Sequence, residues 1–397
     1  MSEKPMPLEG LRVLDASSVV CGPLAAMLLA DFGAEVINIE HPNGGDPIRQ
    51  HGDAKDGVPL WWSMLGRNKK SITLYLGDPD GQALFKEMAA NADVVLENFR
   101  PGTLARWGLD YDTLAAGNPG LVLAHISGYG QTGPRAGEPA FGTLAEAMSG
   151  FAHRTGEPDG PPTLPPFGLA DCVTGIAVAY GVMVALHDRA RTGLGQEIDA
   201  AICETLLTVL EPQLTIYDQL GKDMFRTGSR AVTNAPRGIY ATSDGRWIAV
   251  SASTQPTAAR MLEIAGRPDL AQADWLYNAH DRVAHADEID EALVPWFSSR
   301  TSDEALAACR EAKAPAALVY SPADILADEQ FDARETIARV PHDRLGSVRM
   351  PNVMFRLSRT PGRIRRPGGN LGEDNDEVLG RYLSADEQRR LREKGVI

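Results

Sequence analysis

Cysteine is scarce in this chain, and the four present lie far apart. Cys21, Cys172, Cys203 and Cys309 form no C-x-x-C pair. Neither a disulfide framework nor a zinc knuckle is therefore expected, and a reducing, cytoplasmic setting is. The eight histidines are dispersed, with no H-E-x-x-H and no tight His/Asp group, so no metal is expected. Positive charge is also in deficit: 39 Lys and Arg against 53 Asp and Glu leave a net charge of −14. That excludes broad binding to nucleic acid or an anionic membrane, which needs a basic face. It leaves room for a small anionic ligand held by a few local cations. The longest apolar run, Cys172 to Leu186, is interrupted by Gly175 and Gly181. At about 15 residues it falls short of the roughly 18–20 that a membrane span needs, and it reads as a buried core helix. The opening Met-Ser-Glu-Lys-Pro carries no signal-peptide pattern. Dinucleotide and P-loop fingerprints are missing, as is the G-x-S-x-G elbow of serine hydrolases.

What is present is alternation. Leu11–Asp15 reads as a buried strand, Leu24–Phe32 as a helix stopped by Gly33, and Glu35–Glu40 as the next strand. The period then repeats: a strand over Ser71–Leu76, a helix from Asp78-Pro79 to about Ala90, and strands over Val94–Asn98 and Leu121–Ile126. Apolar strands alternating with helices predict a parallel α/β sheet covered on both faces. A short strand over Gln196–Asp199 and one long helix over Ala200–Leu220 follow. Composition changes near Lys222. A hairpin around Ser243-Asp244-Gly245 and helices near 256–265, 283–297 and 302–312 then predict a smaller α+β domain. The division expected is 1–224 and 321–397 for a large Rossmann-like domain, with 225–320 inserted as the small one; 397 residues suit two cores better than one.

One carboxylate stands out. Asp171 sits between a Pro/Gly-rich loop, 159–166, and the apolar run. It reads either as a helix N-cap or as a nucleophile or base, and local residues leave both open. Asn98-Phe99-Arg100-Pro101-Gly102 lies at the carboxyl end of a strand, where open α/β sheets bind ligands, with Arg100 and Arg106 as cations nearby. The glycine-rich loop Gly128–Gly133 is either a lid or a turn.

Several segments in order resemble the class III (CaiB/BaiF) CoA-transferase family, which includes formyl-CoA transferase. They are Leu11–Asp15 with Cys21-Gly22-Pro23; Gly33–Ile37 with Ile39-Glu40; Asn68–Ile72; Asp93–Val95 with Glu97–Gly102; Gly128-Tyr129-Gly130; Gly160–Thr163; Asp171; Thr360-Pro361; and Leu371–Asn375. The resemblance implies a CoA-transferase in which Asp171 forms aspartyl anhydride and aspartyl-CoA thioester intermediates. Acyl-CoA and a small carboxylic acid would be the substrates, and no permanently bound cofactor is implied. Oxyanion donors would come from Gly128–Gly133 or from turns near Asn234–Gly238.

By position, the resemblance puts CoA contacts on Val20, Cys21, His41, Leu74, Asn98, Phe99, Arg100 and Arg106. Gly77 and His41 stand where the family carries cations, so phosphate contacts would shift to Arg67, Lys69 or Lys70. Arg230 and Arg237 hint at a dicarboxylic acid. The family also implies an interlocked homodimer, with the site completed by the partner's small domain. An α-methylacyl-CoA racemase of the same fold is the second expectation, but its histidine is replaced by Glu138 in Ala136-Gly137-Glu138-Pro139. A silent acyl-CoA-binding protein is the third, and the presence of Asp171 weighs against it.

Overall fold

The computed structural model describes residues 5–397. Contacts divide the chain into two compact units. The larger one comprises 5–151, Leu164–Glu211 and Gln330–Ile397; the smaller one comprises Ala152–Thr163 and Pro212–Glu329. The sequence reading drew the inserted unit at 225–320. The contacts place its limits at Pro212 and Glu329 and add the separate segment Ala152–Thr163, which takes in only the first part of the Pro/Gly-rich loop.

Six strands of the described residues build the larger unit's sheet: β1 (Arg12–Asp15), β2 (Glu35–Glu40), β3 (Lys70–Thr73), β4 (Val94–Glu97), β5 (Val122–Ser127) and β6 (Glu197–Ala201). They run in the order β3-β2-β1-β4-β5-β6, every pair parallel. This is the doubly wound order of Rossmann-like folds. Successive strand residues feed opposite cores. Val13, Val36 and Leu96 face the side packed by α1 (Cys21–Asp31). Leu14, Ile37 and Val95 face the side packed by α2 (Pro79–Ala89). Burial on both faces is why these strands read as continuous apolar runs. Asp78 caps α2 through the backbone N–H of Asp80, with Pro79 at the first helical position.

The C-terminal segment closes an open edge. The Asp374 and Asn375 side chains accept the backbone N–H groups of Ser71 and Thr73, both at 2.8 Å. Edge strand β3 thus meets side chains instead of a further strand.

Helices α3 (Gly142–Met148) and α4 (Leu169–Thr192) complete the side that matters for function. Long and apolar enough to cross a membrane by length and composition, α4 nonetheless lays one face on α1 and the sheet. A Cβ at Gly175 would meet the Cys21 carbonyl oxygen at 2.7 Å, so glycine is what lets the two helices cross this closely. The outer face exposes Ile176, Tyr180, Met183 and Val184. The expectation of a buried core helix is therefore corrected: among the described residues this outer apolar face is left exposed.

The expected long helix over 200–220 is also corrected. Strand β6 takes its first residues; α5 (Ile202–Thr208) and α6 (Gln213–Leu220) are separate. Between them Glu211 adopts φ +59° ahead of Pro212, and a proline disfavours helix at the residue before it.

The smaller unit carries an antiparallel sheet of β7 (Arg237–Ala241), β8 (Trp247–Ser251) and β9 (Ala316–Leu318), in the order β9-β8-β7. Helices α7 (Gln255–Ile264), α8 (Ala286–Ser298) and α9 (Ser302–Glu311) share its apolar core. The expected hairpin and the Thr301/Glu304 capping box are both present.

Candidate active site

The order of the sheet reverses between β1 and β4, and a crevice opens beyond the carboxyl ends of these neighbours. Its floor is the turn after β1, held by three side chains. Asp15 accepts the Ser17 N–H at 3.2 Å. Asn98 both accepts the Ser18 N–H (2.9 Å) and donates to the Ser18 carbonyl (2.8 Å). Asp46 accepts the Val19 N–H at 3.0 Å. Val19 has φ +69°, a conformation that is strained for a β-branched residue and persists only where the surroundings enforce it. Lys69 ties the turn to α1 by donating to Asp15 and to the Pro23 carbonyl, both at 2.9 Å.

The facing loop is held in the same manner. Glu97 accepts the Phe99 N–H at 2.7 Å and contacts His125, whose other nitrogen lies 2.8 Å from Glu197. Asn98, Phe99 and Arg100 therefore leave the sheet in a fixed direction.

Asp171 is the third residue of α4, and Gly168 is the N-cap. It is not the cap that one sequence reading proposed, and its carboxylate has no hydrogen-bond or ion-pair partner among the described residues. It packs against backbone. A Cβ at Gly142 would lie 2.2 Å, and one at Gly168 2.8 Å, from an Asp171 carboxylate oxygen. Burial, and then the negative charge of Glu146, push its pKa up to about 6. The carboxylate is thus mostly ionised at neutral pH, yet more basic than an ordinary aspartate. Burial also pushes the neighbouring Cys21 thiol well up, with Asp171 adding to the effect. Cys21 is therefore an uncharged wall.

A cavity of about 240 Å³ is lined by Asp171, Val20, Cys21, Asn98, Phe99 and Arg100, together with Gly128, Glu138 and Phe141. Beside it a cleft of about 180 Å³ is lined by His41, Leu74, Tyr75, Gly77 and Trp107. Both are lined by Ser18 and Phe99. The structure thus gathers seven of the eight expected contact residues into two adjoining spaces. Arg106 lines neither; its guanidinium donates to Thr103 Oγ1 at 2.9 Å.

Several other expected cations and donors already have partners. Arg67 is buried against Asp31 (3.0 Å), Lys69 against Asp15, and Lys70 is bonded to Glu35 at 2.8 Å, so none is free for a phosphate. Arg230 is held by Asp287 and Asp290. Arg237 donates to the Arg230 carbonyl at 3.3 Å. In the glycine loop, the Gly130 N–H donates to Ser127 Oγ and the Gln131 N–H to Asp199, which removes both as oxyanion donors. A cavity of about 260 Å³ near Trp62 is richer in arginine, but Arg49 and Arg366 there are paired with Glu40 and Asp374. Arg100 has no ion-pair partner among the described residues.

Sequence reasoning missed Glu146, Asp46 and the Glu97–His125–Glu197 chain. For Glu146 a signal existed: it falls on the buried face of α3 with Gly142 and Ala145, where a charge needs a reason.

A doubly wound sheet with an unpartnered carboxylate at its switch-point crevice defines an α/β fold with a candidate active site at that crevice. A profile of CoA-transferase family III matches residues 8–375. The chain is 42% identical over 398 residues to the beta subunit of succinyl-CoA–L-malate CoA-transferase from Chloroflexus aurantiacus, covering 99% of this chain and 98% of that one. It is 40% identical over 396 residues to succinyl-CoA–D-citramalate CoA-transferase of the same organism, again covering 99% and 98%. The crystal structure of a CAIB/BAIF family protein from Brucella suis superposes with a TM-score of 0.84 at 30% identity, covering 95% of this chain and all of that one (100%). The chain belongs to CoA-transferase family III, and it is a CoA-transferase.

Proposed function

We propose that this enzyme moves CoA from succinyl-CoA to a small dicarboxylic acid of the malate or citramalate type, with Asp171 as the covalent carrier. An Asp171 oxygen attacks the thioester carbonyl. The C–S bond breaks, leaving a mixed anhydride and CoA thiolate. The thiolate attacks the aspartyl carbonyl, releasing the donor acid and forming an aspartyl-CoA thioester. The acceptor carboxylate then displaces the thiolate to give a second anhydride. Attack of the thiolate on the acceptor's carbonyl yields the new thioester and restores Asp171. The overall exchange trades one thioester for another, so transfer needs no external energy source.

The observation that carries this reading is Asp171 itself: unpartnered, against glycine backbone, and open to the cavity. Val20, Cys21, Asn98 and Phe99 surround the thioester end in this reading. His41 and Leu74 take the adenosine end in the adjoining cleft, and Arg106 lies outside both. Arg100 supplies the free cation for a phosphate or for the acid's second carboxylate. The two dicarboxylate-handling relatives support the substrate class. The working form is an interlocked homodimer, supported by the uncovered apolar face of α4.

The test is direct. Asp171→Ala should abolish transfer among a panel of acyl-CoA donors and free acids followed by mass spectrometry. Wild type incubated with its donor should leave a hydroxylamine-cleavable adduct on the peptide containing Asp171. Full turnover in the Ala variant would sink the assignment.

A further inference from the structure

Glu146 is nearly shut off from solvent, at 2% exposure. Among the described residues no cation pairs with it, and its one bond is accepted from the Ala170 backbone N–H at 3.1 Å. Ala170 immediately precedes Asp171. The bond therefore satisfies a donor that the first turn of α4 would otherwise leave open, because Gly168 has no side chain to cap it. Gly142 lies one turn before Glu146 on α3, on the same face. Gly142 presses on the Asp171 carboxylate from one side while Glu146 grips the turn beneath it. The amide oxygen of a glutamine, neutral and of the same length, would supply the same hydrogen bond. A carboxylate in this place adds only charge.

The groups around Asp171 offer little to offset that charge. From α1 comes the Cys21 thiol, from α4 Cys172, and from α3 Glu146. Of the charged residues lining the cavity, Glu138 is already bonded to Arg135, and Arg100 makes no bond to Asp171. Two carboxylates in a poorly solvated site destabilise each other.

We propose that Glu146 is a positioning residue for CoA transfer: it fixes the turn carrying Asp171 and keeps a second negative charge beside it, so that acylation, which discharges Asp171, relieves a repulsion built into the resting enzyme. This rests on Asp171 being the nucleophile. The anhydride and the aspartyl thioester are both neutral at the aspartyl carbonyl, so both are favoured over the free carboxylate. The same repulsion makes Asp171 the more basic, and hence the better, nucleophile. The raised pKa of about 6 agrees with the arrangement.

Glu146→Gln separates the two roles, since an amide oxygen still accepts from Ala170 but carries no charge. In that variant the acid limb of kcat/KM should move to lower pH, by on the order of one unit. The fraction of enzyme trapped as adduct at fixed donor should fall about tenfold. A residue that only supports the helix would move neither. A folded Glu146→Gln enzyme with an unmoved acid limb and unchanged trapping would overturn the proposal. If Glu146→Gln does not fold, Glu146→Met, which also removes the charge, supplies the second measurement: its acid limb should move the same way, and an unmoved limb would overturn the proposal equally. Undiminished transfer by Asp171→Asn, in contrast, would defeat the nucleophile reading itself, so the two failures are distinguishable.

Discussion

Lys69 and Asp15 pair at 2.9 Å with neither side chain reaching solvent. The ammonium also holds the Pro23 carbonyl, so one buried cation joins strand β1, strand β3 and the start of α1. Lys69→Met should leave Asp15 as an uncompensated buried charge and destabilise the larger unit by about 3–5 kcal/mol. Denaturant unfolding would measure the loss. A midpoint within error of wild type would show that Asp15 finds another partner.

Asp171 should make the enzyme less stable than it could be. Its folded pKa of about 6 lies above the ordinary value, so the folded state binds the proton more tightly than the unfolded chain. Stability from this group is therefore greatest at acid pH and falls as pH rises from about 4 to about 6. Asp171→Asn should consequently raise stability near neutral pH, by on the order of 1–3 kcal/mol before solvent screening, with the advantage fading below about pH 4. Thermal melts at several pH values would check this. A variant equally stabilised at every pH would point to packing instead of charge.

Gly175→Ala tests the crossing of α1 and α4. The added methyl would press the Cys21 carbonyl and Leu24, and overpacking of this kind costs about 1–3 kcal/mol. Because the clash falls beside the cavity wall, activity should drop more than stability alone explains. Wild-type kinetics in a folded Ala variant would show that the helices part without disturbing Asp171.

Phe99→Ala should raise KM for the acyl-CoA substrate about fivefold or more and leave the fold intact, since an aromatic face contributes about 1 kcal/mol or more. Phe99 lines both the cavity and the cleft and leans edge-on against Trp107 at 5.1 Å. Unchanged KM would place CoA elsewhere.

Much of the larger unit was legible because its strands are buried on both faces: Glu35–Glu40 reads as a strand and is one, and Asp78-Pro79 starts its helix where cap chemistry says it should. The break at Glu211-Pro212 carried a local signal as well, but apolar periodicity on either side of the proline masked it. The status of Lys69 was not legible, because whether a lysine meets water or Asp15 depends on residues far away in the chain. Arg67 and Arg230 misled for the same reason: a sequence shows a cation but not the carboxylate it has already met. Asp171 was found by its setting and by resemblance. Its neighbour Glu146 was not, since what links the two is a contact between α3 and the first turn of α4.

The side chains of Asp374 and Asn375 on edge strand β3 set a schedule. All six strands of the sheet have been synthesised by residue 201, yet the edge at Ser71 and Thr73 stays bare until residue 375 emerges from the ribosome. Through the whole synthesis of the smaller unit, the nascent sheet offers an unpaired rim to any other extended chain. The vulnerable moment of this protein thus falls before its completion, and a ribosome stalled between residues 201 and 375 would hold it there.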